Sequence, residues 1–216
     1  MKNSILYLAF LVCAIACTEE KSFKNFNLPV DERVSLLLKE MTLQEKIAQL
    51  NCNLVGPFTL RNTDKFEPDS ARKYYGNGAG LLFMGEFTKD PKLFSERINR
   101  IQEFLVKETR LGIPALIGAE ACHGFVANGA TRFPQSIALG GTFDPELIEK
   151  IYTVAAREMR AWGVNQVFSP TIDLGREPRF GRIEETYSED PFLTSQIGLA
   201  AVYGLQGRTV SDLKNE

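Results

Sequence analysis

Between Arg176 and Pro191 the chain reads Arg-Glu-Pro-Arg-Phe-Gly-Arg-Ile-Glu-Glu-Thr-Tyr-Ser-Glu-Asp-Pro, directly after an apolar run from Val164 to Leu174. Arginines at 176, 179 and 182 alternate with carboxylates at 177, 184, 185, 189 and 190 around a glycine, two prolines and two aromatic rings. Charges packed this densely among helix breakers cannot all line a helix's apolar face, and the rings make the tract too apolar for a disordered tail. The groups must pair with one another or grip something polar. A planar guanidinium such as that of Arg182 can hold two adjacent hydroxyls through forked hydrogen bonds, as on a sugar ring. The competing reading is a structural network of ion pairs.

A second polar cluster stands in Gly112-Ile-Pro-Ala-Leu-Ile-Gly-Ala-Glu-Ala-Cys-His-Gly124, followed by Ala130-Thr-Arg-Phe-Pro-Gln-Ser-Ile-Ala-Leu-Gly-Gly-Thr-Phe-Asp-Pro145. With Met41-Thr-Leu-Gln-Glu-Lys-Ile47 and the arginine-rich tract, these segments resemble the N-terminal barrel domain of glycoside hydrolase family 3, in order from about Asp31 to Gly207. The departures are mild. Glu177 and Phe180 stand where the family more often has Asp and Trp.

The resemblance implies hydrolysis of terminal β-linked glucose or xylose with retention, for which two carboxylates flank the anomeric carbon. In the family the aspartate nucleophile lies on a later barrel strand, the acid/base on a following domain, and a sugar-holding Lys-His pair comes next downstream. All of these fall beyond Glu216, so no catalytic residue is expected in this chain. Two sugar ligands carry over: Glu120, matching the carboxylate before Ala-x-His-Gly, and Arg182, matching the last arginine of Pro-Arg-x-Gly-Arg. Many glucosidases of the family have Asp at the first position. The extra methylene of Glu reaches about 1.5 Å further and would crowd a hexose hydroxymethyl group, but one methylene discriminates by only about 1 to 3 kcal/mol. Glucosides and xylosides both stay open as substrates. His123, after the same apolar run, is a third candidate for the sugar; its competing role is to hydrogen-bond its own loop.

Composition sets limits without the family. Of 216 residues 44% are hydrophobic and 24% charged, a globular balance with material for a sizeable core. A formal net charge of -2 gives no sequence-wide basic field, which argues against nucleic acid as a partner. With one histidine, no His-x-x-x-His pattern or facial triad can be assembled, so no metal is expected. Gly76-Asn-Gly-Ala-Gly80 does not complete the dinucleotide-binding spacing and precedes a strand, and no Gly-x-Ser-x-Gly elbow occurs; neither cofactor nor serine nucleophile is expected.

The first residues read as an address. Lys2 precedes the apolar run Ile5 to Val12, and Ala14-Ile-Ala-Cys17 ends it as a signal peptide with a lipidation cysteine would, the alternative being ordinary signal cleavage. Residues 1–17 are then the signal, 18–30 a linker and 31–216 the incomplete barrel domain. Acyl chains on Cys17 would anchor the protein to a Gram-negative membrane, facing the periplasm or the cell surface. Cys52 and Cys122 remain, read as small buried hydrophobes.

Apolar periodicity supplies the frame. It predicts helices over Asp31–Glu40 and, behind a Thr42/Glu45 capping box, over the following residues. Asn51 to Tyr75 reads as loop. Strands are expected at Gly80–Met84, Ile113–Ile117 and Val164–Phe168, alternating with helices over Pro91–Arg110, Pro145–Trp162 capped by Asp144, and Pro191–Tyr203. This alternation is α/β, with parallel strands and crossover helices, and the resemblance makes it the N-terminal part of a (β/α)8 TIM barrel. Binding groups then gather at the carboxyl ends of the strands, so Glu120, His123 and the arginine tract should share one rim. A complete barrel takes about 250 residues, more than this chain has, so the remaining barrel and following domains would be missing partners. The rival reading is a non-catalytic truncated remnant or a carbohydrate-binding lipoprotein. Glu184, Glu185, Glu189 and Asp190 are assigned to salt bridges with Arg176, Arg179 and Arg182, not to catalysis.

Overall fold

The computed structural model describes residues 22–55, 67–84 and 90–209. The chain divides into two compact units, residues 1–46 and 47–216.

The first unit carries helix α1 (Val30–Glu40) and the opening of α2 (Leu43–Leu50). Asp31 and Glu32 sit in the first turn of α1 and Lys39 in its last, matching the helix dipole at both ends. The Thr42/Glu45 capping box forms as the sequence predicts: Thr42 N–H donates to the Glu45 carboxylate at 2.8 Å, and Glu45 N–H to Thr42 Oγ1 at 3.3 Å.

The second unit is built on four parallel strands in sequential order: β1 (Cys52–Val55), β2 (Leu81–Met84), β3 (Leu116–Ala119) and β4 (Gln166–Val167). Between them run α3 (Pro68–Tyr75), α4 (Pro91–Glu108), the short α5 (Ser136–Gly140) and α6 (Pro145–Ala161); α7 (Pro191–Gln206) follows β4. Parallel neighbours joined by helices are the opening of a singly wound α/β barrel.

Three of the helices start alike, on an Asp-Pro pair. Asp90, Asp144 and Asp190 each accept from backbone N–H groups of the first turn, and the proline occupies the first helical position, where no donor is needed. Phe94, Ile98, Ile101, Phe104 and Leu105 put one apolar stripe of α4 against the sheet, where they pack with Leu82, Ile117 and Trp162. The Trp162 indole meets Phe94 and Phe125 edge-on at 5.1 and 5.4 Å. A second cluster, with Ile148, Tyr152, Tyr187 and Ile197, joins α6 to α7.

Four sequence expectations need correction. Residues 51–75 are not one loop: β1 and α3 lie there, with 56–66 outside the described residues. Polar Asn53 interrupts the apolar run of β1, and Pro68 takes the first helical position of α3, where no donor is needed. The third strand begins at Leu116, and β4 keeps only two ladder residues of Val164–Phe168. The five-residue α5, between Pro134 and Phe143, is too short for periodicity to detect. Neither cysteine is a buried hydrophobe: Cys52 is exposed and Cys122 half-buried, both as free thiols.

Gly204 shows how tightly α6 and α7 pack. A Cβ there would lie 2.4 Å from the Glu149 carbonyl oxygen and 2.8 Å from Tyr152 Cβ. Gly→Ala inside a helix ordinarily stabilises by about 1 kcal/mol through propensity. Here overpacking opposes it with about 1 to 3 kcal/mol, so Gly204→Ala should lower the urea midpoint. A raised midpoint would show that the helices can separate without cost.

Candidate functional site

Glu120 is the first residue beyond β3, and the loop it opens is fixed at several points. Asn165 Oδ1 accepts from Ile117 N–H at 2.7 Å, and Ser169 Oγ from Ala121 N–H at 3.2 Å, so the residues flanking β4 hold β3 and the start of its loop in place. Gly124 turns the loop with φ at +92°, and a Cβ there would meet the Thr131 carbonyl at 2.4 Å. Further on, the Glu158 carboxylate of α6 receives both the N–H and the hydroxyl of Thr131.

The arginine tract leaves β4 and folds back on itself. Gly175 N–H donates to the Ser188 carbonyl at 2.9 Å, closing the base of the loop, and Ile183–Glu185 forms one 3-10 turn. Within it Arg182 grips Glu185 with a two-pronged fork, Nε to Oε1 at 2.9 Å and a terminal nitrogen to Oε2 at 2.5 Å. Arg179 forms a like fork on Glu177, whose carboxyl is held down to about 2 by that guanidinium. Arg176 donates to the Glu189 carbonyl, and Asp190 caps α7. Of the expected side-chain ion pairs with the acidic run, the structure forms Arg182–Glu185.

The two loops meet. Thr171 Oγ1 donates to Glu185 Oε2 at 3.5 Å, the Cys122 sulfur is 3.9 Å from Thr171 Oγ1, and the same sulfur is 3.9 Å from Glu120 Oε2. Two carboxylates and one guanidinium therefore share a small rim patch. Burial raises the Glu120 carboxyl above its ordinary value, and the Glu185 charge raises it further; Arg182 and the Cys122 thiol pull it down by less. Glu185 is lowered by its hydrogen bonds from Arg182, and Arg182 is raised in turn. The Arg182 side chain stays 63% exposed against 22% for Glu185, so its outer N–H groups face solvent and can receive a ligand.

Of the three residues singled out from sequence, Glu120 and Arg182 come together through Cys122, Thr171 and Glu185. His123 stands on the same loop, but its Nδ1 is buried without a hydrogen-bond partner; only its carbonyl is engaged, by Phe133 N–H at 2.9 Å. Cys122 and Thr171 gave no signal in the sequence, because their place at the rim depends on the pairing of β3 with β4. A cleft of about 360 Å³ lies elsewhere, along the outer edge of β4 against α7, lined by Gln166, Val167, Ser169 and Leu205. It is the groove beside an unpaired strand edge, with no carboxylate among its lining residues. Among the described residues no three His, Cys, Asp or Glu side chains come together as a metal site.

The strained charge on Glu120 gives a stability signature. A carboxyl whose folded value lies above its unfolded one keeps its proton longer in the native state, so stability falls as pH rises from the unfolded value through the folded one. At neutral pH Glu120→Gln should therefore raise Tm, with the difference vanishing near pH 4. A lower Tm at pH 7 would show that the Glu120 charge is satisfied by its surroundings.

The glycosyl hydrolase family 3 N-terminal domain matches residues 42–214. A β-xylosidase of Formosa agariphila is 31% identical over 94% of this chain and 22% of its own length. The periplasmic β-glucosidase of Salmonella typhimurium is 31% identical over 89% of the chain and 23% of its own. Among solved structures, a β-glucosidase from Erythrobacter marinus superposes with a TM-score of 0.77 at 32% identity, over 88% of this chain and 25% of that one. The chain thus spans about a quarter of the length of these relatives. With the parallel strands and the segments carrying Glu120 and Arg182 all inside the matched range, the chain belongs to glycosyl hydrolase family 3, as part of its N-terminal domain.

Proposed function

We propose that this chain is the sugar-gripping part of a β-glycosidase that removes terminal β-linked glucose or xylose with retention, and that Glu120 and Arg182 hold the hydroxyls of that terminal sugar. The observation that carries this is the shared rim: an exposed guanidinium and a carboxylate, from loops about 60 residues apart in sequence, are linked through Cys122, Thr171 and Glu185. Hydroxyls are both donors and acceptors, so a sugar is matched by one group of each kind. Glu120, held above its ordinary value by burial and the Glu185 charge, gains from a ligand that donates to it. Arg182 keeps two prongs on Glu185 and has guanidinium N–H donors left over for a vicinal diol.

Three carboxylates of the arginine-rich tract are engaged without catalysis. Glu185 is occupied by Arg182, Glu177 by Arg179, and Asp190 by the first turn of α7. The nucleophile and the acid/base are therefore assigned to parts of the barrel and following domain that come after this segment in family members. The test is turnover of aryl β-glucosides and β-xylosides by the complete gene product. Glu120→Ala and Arg182→Ala should each lower kcat/KM, since losing one hydrogen bond to a charged group costs about 1.5 to 3 kcal/mol, roughly tenfold or more. Folded variants with unchanged kcat/KM would make the rim cluster structural. A complete product that binds sugar without turnover would support the rival reading of a non-catalytic, carbohydrate-binding remnant.

We also propose attachment to the membrane through Cys17, with the lipoprotein signal cleaved so that the mature chain begins at Cys17; this segment lies outside the described residues. The periplasmic name of the Salmonella relative supports an exported protein. Cells fed a palmitate analogue should label the wild type and not Cys17→Ala. Equal labelling of both would end the lipid-anchor reading.

A further inference from the structure

The two loops that carry Glu120 and Arg182 are also joined beneath the rim, through a buried pair of tyrosines. Tyr152 lies on α6 and Tyr187 just after the 3-10 turn that holds Glu185; the rings are 1% and 2% exposed. Their hydroxyl oxygens are 2.5 Å apart, and Tyr152 Oη donates to the Cys122 carbonyl at 3.0 Å. A hydroxyl has one proton, so with Tyr152 committed to that carbonyl, Tyr187 is the donor between the rings. Ser136 Oγ of α5 donates to the same carbonyl at 3.1 Å. Burial pushes the Tyr152 hydroxyl up to about 12 and raises Tyr187 as well, so both are neutral donors over the whole working range of pH.

The path is short at both ends. Cys122 is two residues from Glu120 and presents its sulfur to that carboxylate; Tyr187 is two residues from Glu185, whose oxygens hold Arg182. The main chain at Tyr187 packs closely against α5: a Cβ on Gly140 would fall 1.8 Å from the Tyr187 carbonyl oxygen. Thr186, also buried, ties its hydroxyl to the Ile183 carbonyl at 2.7 Å and fixes the turn. A core needing only apolar filling at these two positions would be served by phenylalanine. Two hydroxyls buried against one another, the Cys122 carbonyl and the Ser136 side chain impose a defined geometry instead.

We propose that Tyr187 and Tyr152 are positioning residues for the sugar site: their hydroxyl chain to the Cys122 carbonyl sets the spacing between Glu120 and the Arg182–Glu185 pair. This rests on the reading that Glu120 and Arg182 bind the terminal sugar. Tyr187→Phe removes one oxygen, leaves the ring in place, and lets the arginine loop shift relative to Glu120. Small misplacements of binding groups are costly to rate, and a fall in kcat/KM of about tenfold is expected.

The experiment is a double-mutant cycle in the complete gene product, on an aryl β-glycoside, with circular dichroism to confirm the fold of each variant. Tyr187→Phe should lower kcat/KM about tenfold in the wild-type background and less than about twofold when Arg182 is already alanine, because the spacing no longer matters once its partner is gone. Tyr152→Phe should show the same coupling, and serves if Tyr187→Phe does not fold. If Arg182→Ala lowers kcat/KM and the tyrosine variants lower it by the same factor in both backgrounds, or not at all, the pair only stabilises the core and the positioning role is overturned. If Arg182→Ala itself changes nothing, the sugar-binding reading fails first and this inference falls with it.

Discussion

The site depends on the parallel pairing of β3 with β4, a contact only two residues long on each strand. Gly118 stands opposite Gln166 and Ala119 opposite Val167, so both strands run out at the same edge and the next residues of each emerge side by side. An antiparallel arrangement would send the arginine tract to the opposite end of the sheet from Glu120. The pairing is reinforced from within the loops: Asn165 and Ser169 accept from the backbone of Ile117 and Ala121, extending the short ladder with side-chain oxygens on either side. Close approach is secured by Gly118, where a Cβ would meet the Phe168 ring at 2.8 Å.

On that rim the charges are not balanced pair by pair. Two carboxylates face one guanidinium; Arg182 is committed to Glu185, and Glu120 is left with a thiol 3.9 Å away and the field of a second negative charge. Burial and the Glu185 charge raise the Glu120 carboxyl above its ordinary value, and such a shift is free energy lost to the folded state at neutral pH. The proposed binding of a polyhydroxylated ligand would offset that loss. In the proposed reading a sugar hydroxyl donates to Glu120, and the outer face of Arg182 is open to the neighbouring hydroxyl.

Much of this was legible in the amino-acid sequence, for identifiable reasons. Phe94, Ile98, Ile101 and Leu105 repeat at helical spacing over about three turns, and α4 follows without ambiguity. The Asp-Pro starts of α4, α6 and α7 and the Thr42/Glu45 box are local signals, read from a few neighbouring residues. What sequence did not disclose is non-local or short. β1 carries Asn53 in its middle and α3 is mostly polar, so neither has a period to read, and α5 has barely one turn. The placement of Glu120 and Arg182 on one rim followed from strand–helix alternation. Their actual linkage through Cys122, Thr171 and Glu185 required the register of β3 against β4. The tyrosine pair was hidden for the same reason: Tyr152 reads as one more apolar position on α6, and only its partner, 35 residues away, reveals the hydroxyl's use.

The central claim is that Glu120 and Arg182 hold one and the same sugar. The most direct measurement is a crystal structure of the complete gene product soaked with glucose or xylose. The account places one sugar with neighbouring hydroxyls within hydrogen-bond distance of the Glu120 carboxylate and the Arg182 guanidinium at once, and with the Arg182–Glu185 fork retained. A sugar bound in the barrel with either residue out of hydrogen-bond reach of its hydroxyls would contradict it.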